Sequence, residues 1–314
     1  MKTRFIFNPC SGLNRRRPQL ARDIRTFIAT QALDADLVVT EGPGHATVLA
    51  RAAVQAGCAV VVAVGGDGTM NEVAQAVLDT PVALALVPCG SGNGLARHVG
   101  LPRSSLGALR LATGGDGRVV AVDTGIVNGH PFFNAMGLGL DADISRRFNS
   151  LSRRGLPAYV RTAVRALRDL RPERCVIRSG ERSEVLDALL IAVANSDQYG
   201  NNARIAPGAR VDDGALDLVV VKPVGIVGAA FLAARLFLGN LDGSPDVRLW
   251  RGTRFVIERT APGLIHTDGE THATDATIEV TVHPRSLRLL VPAGSPVTGG
   301  AGQGVGSGFG LQLP

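Results

Sequence analysis

The sequence predicts an α/β N-terminal domain built on a mostly parallel sheet, followed by a mostly antiparallel β domain. Three observations carry this. Short β-rich runs alternate with helical patterns at the start of the chain, the order that places helices over a parallel sheet. One run, Ala59-Val60-Val61-Val62-Ala63-Val64, is apolar at every position, as a strand buried on both faces requires. From about Val119 onward helical patterns become sparse and β-like segments succeed one another.

In the first domain, strands are expected at Phe5 to Phe7, Leu37 to Val39, Ala59 to Val64 and Val82 to Val87, with helical stretches at Pro18 to Thr30 and Ala46 to Ala56. Each strand runs into a loop rich in glycine or polar residues, and in open α/β sheets such carboxyl-end loops form the ligand crevice. In the second domain, β segments are expected at Val119 to Val122, Cys175 to Arg178, Ala188 to Ala194, Leu216 to Val221, Arg254 to Ile257, Ile278 to Val282 and Leu287 to Val291. Two helices, Leu156 to Leu170 and Gly225 to Leu238, accompany them. The glycine-rich run from Gly299 to Gly308 has too little apolar surface to order itself, so 297–314 reads as a flexible tail. No internal repeat is visible.

Composition narrows the function. With 314 residues, 45% of them apolar and 19% charged, the chain suits about two folded domains and is not disordered throughout. The apolar stretch Leu218 to Leu238 is broken by Lys222, Pro223 and Arg235, short of the ~20 residues of a membrane span. The N-terminus lacks a secretory pattern, so a cytoplasmic location is expected. Cys10, Cys58, Cys89 and Cys175 are scattered without metal or disulfide spacing and read as reduced thiols. A net charge of +6 favours anionic partners, while 4% aromatics leave few platforms for stacking nucleic-acid bases, so no nucleic acid is expected.

The most informative segment is Gly65-Gly66-Asp67-Gly68-Thr69-Met70-Asn71-Glu72, directly after the buried strand. Its glycines let backbone N–H groups approach an anion, and Met70, Val73, Ala74, Val77 and Leu78 set out the stripe of a helix whose N-terminus faces the same loop. A carboxylate there would repel a phosphate unless a cation lay between, so Asp67 is read as acting through Mg²⁺. The alternative is a glycine turn with Asp67 as N-cap. A second loop, Pro88-Cys89-Gly90-Ser91-Gly92-Asn93-Gly94, and a third, Asn8-Pro9-Cys10-Ser11-Gly12, follow their own strands. Three such loops at one sheet edge describe a nucleotide pocket.

Together with Ala206-Pro207, Asp212-Asp213-Gly214 and Asp268-Gly269-Glu270, these motifs resemble the diacylglycerol kinase catalytic-domain family, which includes bacterial lipid kinases and sphingosine kinases. The resemblance covers nearly the whole chain before the tail. It departs at Gly94, where many members carry aspartate. It implies a phosphofructokinase- and NAD kinase-like first domain over 1–122, completed by a returning strand within 285–296. It further implies a β-sandwich lipid domain over 123–284, with ATP between the two. Carried over, the ATP-binding positions are Asn8, Pro9, Cys10, Ser11, Gly12, Thr40, Gly65, Gly66, Asp67, Gly68, Thr69, Met70, Asn71 and Ser91.

Phosphoryl transfer needs a residue to take the proton of the attacking hydroxyl and cations to neutralise the moving charge. Glu270 is assigned as general base, with Asp268 next. The resemblance implies a second, structural Mg²⁺ site at the Asp213 side chain with the carbonyls of Arg210 and Ala215; a plain hairpin turn is the alternative. Arg161, Arg165 and Arg168 share one helical face that either is solvated or rests on anionic lipid. The function expected is an ATP- and Mg²⁺-dependent kinase of a membrane lipid, diacylglycerol or a relative. Peripheral contact with the inner membrane face and self-association are both compatible with it. The rivals are an NAD kinase-like enzyme and a protein that binds nucleotide or lipid without transfer.

Overall fold

The computed structural model describes residues 1–149 and 172–299 together with Thr162 and Ala166. Apart from Thr162 and Ala166, the expected helix Leu156 to Leu170, with its Arg161, Arg165 and Arg168 face, and nearly all of the expected tail lie outside the described residues.

The opening βα alternation forms as expected. Strands β1 (Thr3–Phe7), β2 (Ala35–Val39), β3 (Val60–Gly65) and β4 (Ala83–Pro88) pair in parallel in the order β2-β1-β3-β4. Every residue of β3 is buried, which its uninterrupted apolar sequence requires. Helix α1 (Leu20–Thr30) covers one face of this sheet through Leu20 and Ile24. On the other face lie α2 (His45–Gln55) and α3 (Asp67–Val77), the latter burying Met70, Val73, Ala74 and Val77 along the predicted stripe. A one-turn helix α4 (Gly94–His98) follows the second glycine loop, and α5 (Ser105–Ala112) begins at Ser104, whose side chain accepts from Gly107 N–H.

The antiparallel half is richer than the sequence suggested. It contains β5 (Gly117–Val127), β6 (His130–Phe132), β7 (Ala135–Gly139), helix α6 (Leu140–Asn149), β8 (Glu173–Ser179), β9 (Arg182–Ala188), β10 (Leu190–Ala194) and β11 (Leu216–Val221). After the helix Ile226–Leu238 come β12 (Val247–Gly252), β13 (Arg254–Arg259), β14 (Gly263–Thr267), β15 (Glu270–Thr274) and β16 (Thr277–Pro292). One six-stranded sheet, in the order β12-β11-β10-β7-β14-β15, is antiparallel throughout. Its inner face packs Met136, Ile191, Leu218 and Ile265 against Phe132, Ile177, Phe255 and Val280 from the other sheet, forming a β-sandwich.

Strand β16 joins the two halves. It was expected as two segments, but is one strand of 16 residues whose register shifts between His283 and Leu287, around Pro284 and the positive-φ Arg285. Its first part pairs with β13 in the sandwich, while Leu289 pairs with Leu84 of β4. The ten-stranded sheet is therefore continuous from the first domain into the sandwich.

All four cysteines are free, and burial pushes the Cys89 and Cys175 thiols up to about 11. No helix among the described residues is long and apolar enough to cross a membrane.

Candidate active site

The three glycine loops meet at the carboxyl ends of β1, β3 and β4. Asn8 Nδ2 donates to Thr69 Oγ1 at 2.9 Å, while Asn8 Oδ1 accepts from Cys10 N–H at 2.9 Å. Asn8 N–H itself bonds Val64 O at 3.1 Å, and Leu13 N–H bonds Cys89 O at 2.8 Å. Gly66 and Gly90 touch backbone to backbone: a Cβ on Gly90 would lie 2.6 Å from the Gly66 Cα. A Cβ on Gly65 would lie 2.4 Å from Thr69 Oγ1. Glycine is thus needed at both positions for approach, with no left-handed backbone involved. Thr40 sits at the end of β2, its N–H bonded to Phe7 O at 2.9 Å.

Pro9, Cys10, Gly12, Gly68 and Ser91 are exposed around this junction, and Ser11 is half-buried beside Gly66. Thr69 and Asn71 are buried in the first turns of α3. Met70 turns its side chain into the core, so among the expected ATP-binding positions it offers a ligand only its backbone.

Asp67 opens α3 as its first residue, and Gly66 is the N-cap. Its Oδ2 accepts from Asn93 N–H and its Oδ1 from Gly94 N–H, both at 2.8 Å. The carboxylate thereby ties the first glycine loop to the second. Burial pushes its pKa up, against these two N–H donors, its own N–H and the charge of Arg97, whose Nε holds Gly92 O at 2.8 Å. With its own N–H the carboxylate takes three donors, fewer than the about four lone pairs of its two oxygens, so the group fits a cation-bearing role.

Asp268 stands on the β14–β15 turn in a left-handed conformation, φ 51°. Its carboxylate accepts from Phe133, Asn134 and Ala135 N–H at 2.7, 2.8 and 3.0 Å. Burial raises its pKa to about 6, overriding the three donors and the nearby His266. Three short steps lead from it to Asp67: Asn134 N–H bonds Asp268, a Cβ on Gly94 would lie 3.2 Å from Asn134 Oδ1, and Gly94 N–H bonds Asp67 at 2.8 Å. Glu270 opens β15 with its side chain exposed.

Sequence reasoning missed the layer behind Asp268. His266 is buried with Nε2 2.9 Å from Asp141 Oδ2, and its Nδ1 accepts from Gly269 N–H at 3.2 Å. Burial opposes its protonation, but the Asp141 carboxylate outweighs that and raises its pKa. The Tyr199 hydroxyl also donates to Asp141. Gly137 leaves the room, since a Cβ there would lie 2.2 Å from Asp141 Oδ2. No local spacing unites residues 137, 141, 199 and 266; only the pairing of β7 with β10 and β14 does.

The Asp-Asp-Gly turn lies elsewhere, near the foot of β11. Asp213 ion-pairs with Arg251, and its Oδ1 accepts from Ala215 N–H at 3.2 Å. Asp212 accepts from Thr298 and Gly299 N–H and pairs with Arg210. Asp123 accepts from Gly214 and Arg285 N–H. A cation held by Asp213 with the Arg210 and Ala215 carbonyls would take Arg251's place as its partner. Among the described residues no three His, Cys, Asp or Glu side chains are grouped to hold a metal ion.

Comparison with known proteins agrees with this architecture. Residues 2–127 match the diacylglycerol kinase catalytic domain, and residues 134–291 match the YegS C-terminal NAD kinase beta sandwich-like domain. A Klebsiella pneumoniae (strain 342) protein named "Probable lipid kinase YegS-like" is 30% identical, covering 91% of this chain and 96% of that protein. "Lipid kinase YegS" of Escherichia coli (strain K12) is 28% identical over 88% of this chain and 92% of its own. A crystal structure of a diacylglycerol kinase from Bacillus anthracis str. Sterne superposes with a TM-score of 0.69 at 20% identity, covering 92% of this chain and 96% of that one, a likeness of fold. The chain belongs to the YegS-like lipid kinase family.

Proposed function

We propose that the protein transfers the γ-phosphate of ATP to a hydroxyl of a membrane lipid, with diacylglycerol the leading acceptor and Asp268 the general base in place of Glu270. One observation carries the reading. The second glycine loop, packed on the first, stands at Gly94 beside Asn134, whose N–H bonds a carboxylate with a pKa of about 6, suited to proton abstraction near neutral pH.

The loops of Asn8 to Gly12, Gly65 to Asn71 and Gly90 to Gly94 supply close backbone approach and the N-terminus of α3 for the phosphates. Asp67 is the residue fitted to hold Mg²⁺. When bound with ATP, the cation neutralises charge on the transferring phosphoryl group. Asp268, fixed by three N–H donors, takes the proton of the acceptor hydroxyl as that oxygen closes on phosphorus. His266, held by Asp141, bonds Gly269 N–H and so braces the turn that carries Asp268. Thr40 and Ser91 flank the nucleotide.

Purified protein incubated with labelled ATP, Mg²⁺ and a panel of diacylglycerol, monoacylglycerol, phosphatidylglycerol, sphingosine, ceramide and NAD tests the proposal. Label in a lipid product supports it. Label in NAD transfers the reading to an NAD kinase, and no label in any acceptor leaves a binding protein.

A further inference from the structure

The helix Ile226–Leu238 lies on the outer side of the six-stranded sheet, where Leu232, its one buried side chain, joins Val219 and Val221 of β11. Its other side faces outward without cover. Ile226, Val227, Phe231 and Leu238 are exposed by 64%, 71%, 69% and 76%. Val227, Ala230, Phe231, Ala234 and Leu238 follow the spacing of a single helical face, and all five are exposed. Single exposed apolar side chains are ordinary, but a continuous stripe of them marks a surface that meets something apolar.

Charge and position say what that is. Between Asp217 and Asp242 the chain carries no carboxylate, and its charges are Lys222 and Arg235. The helix ends at Gly239 against the Arg204 side chain, which is itself 45% exposed and has Asp197 at 3.6 Å. Arg204, with Asp197 as its partner, and Arg235 in the last turn therefore place cations at the C-terminal end of the stripe. The segment from Tyr199 to Arg204 then ties the helix to the candidate site. Arg204 N–H bonds Leu236 O at 2.9 Å and Asn202 Nδ2 bonds Phe237 O at 3.2 Å. At its other end, Asn201 N–H bonds Gly92 O at 3.2 Å in the second glycine loop.

We propose that this face enters the headgroup layer of an anionic bilayer and holds the active site against the surface that presents its acceptor. An apolar stripe with cations at one end and no acid within the helix is the pattern of an interfacial helix. The purpose of this docking rests on the lipid-kinase reading; the docking itself rests on the exposed stripe and its charges.

The full chain is compared with the Phe231→Gln, Leu238→Gln double variant by co-sedimentation with phosphatidylcholine vesicles with and without phosphatidylglycerol. Both side chains are exposed, and matched thermal midpoints verify the fold; Phe231→Gln alone serves if the double variant is unstable. The variant should bind the anionic vesicles at least about tenfold more weakly, since binding scales with inserted apolar area, while phosphorylating a soluble short-chain lipid at the parent rate. Unchanged vesicle binding overturns the proposal. So does a parent that sediments as a dimer where the variant is a monomer, which would make the face a contact between copies. Weakened vesicle binding in a protein that phosphorylates no lipid leaves the docking face standing and removes the kinase reading instead.

Discussion

At Asp268 three N–H donors aim at one carboxylate, yet burial lifts its pKa to about 6. A general base works only unprotonated, so kcat/KM should fall as pH drops through about 6 and level off above it. Asp268→Asn should lower kcat by roughly 10²-fold or more and abolish that acid limb, because the amide cannot take a proton. Glu270→Gln, at an exposed position, should leave both rate and limb nearly intact; a crippled Glu270→Gln with an active Asp268→Asn returns the base to Glu270. Gly94 is a residue-scale matter too. A Cβ there would sit 3.2 Å from three oxygens, Asn134 Oδ1, Gln198 O and Tyr199 O. The aspartate common in the family at this position would place a charge among those acceptors. Gly94→Asp should thus destabilise the protein by on the order of 2 kcal/mol, with Gly94→Ala milder, read from urea midpoints.

At the scale of elements, the packed pair of glycine loops is the feature most open to test. The Gly66–Gly90 contact leaves no room for a methyl group, so Gly90→Ala must part the loops and should reduce kcat/KM more than it lowers the thermal midpoint. Equal loss of both would make the contact merely structural. These loops were legible in the sequence because glycine spacing and the all-apolar β3 are side-chain signals. The Asp268 pocket was only half legible. Asp268-Gly269-Glu270 announced a turn, but its partners are main-chain N–H groups of residues 133 to 135, which any sequence supplies. Strand β16 was read as two because Pro284 interrupts its pattern, although the bulge lets the chain continue. The helix Ile226–Leu238 was foreseen, whereas its uncovered face was not, since apolar residues on a helix read the same whether buried or exposed.

For the molecule as a whole, the question is what fixes one domain against the other, since the candidate site needs Asp67 from the first and Asp268 from the second. The continuous β16 does part of this, and Asp123 bonds both Gly214 and Arg285. A further tie is His98 Nδ1 to Asp197 Oδ1 at 2.6 Å, with both side chains largely buried. Burial acts to raise the Asp197 pKa, but the His98 hydrogen bond and charge, with Gln198 and Arg204, outweigh it and hold the carboxyl below its ordinary value of 3.8. A carboxyl depressed on folding contributes stability above its unfolded pKa and loses it as pH falls through the folded value. Asp197→Asn should therefore lower unfolding free energy by about 2 kcal/mol at neutral pH, the scale of a hydrogen bond to a charged group. That deficit should shrink as acid protonates the parent's carboxyl below 3.8. Because Arg204 also leans on Asp197, the same variant should loosen the Tyr199 to Arg204 segment and raise KM for lipid in vesicles more than KM for ATP. A stability deficit that stays constant across the acid range would show that the pair contributes by packing alone.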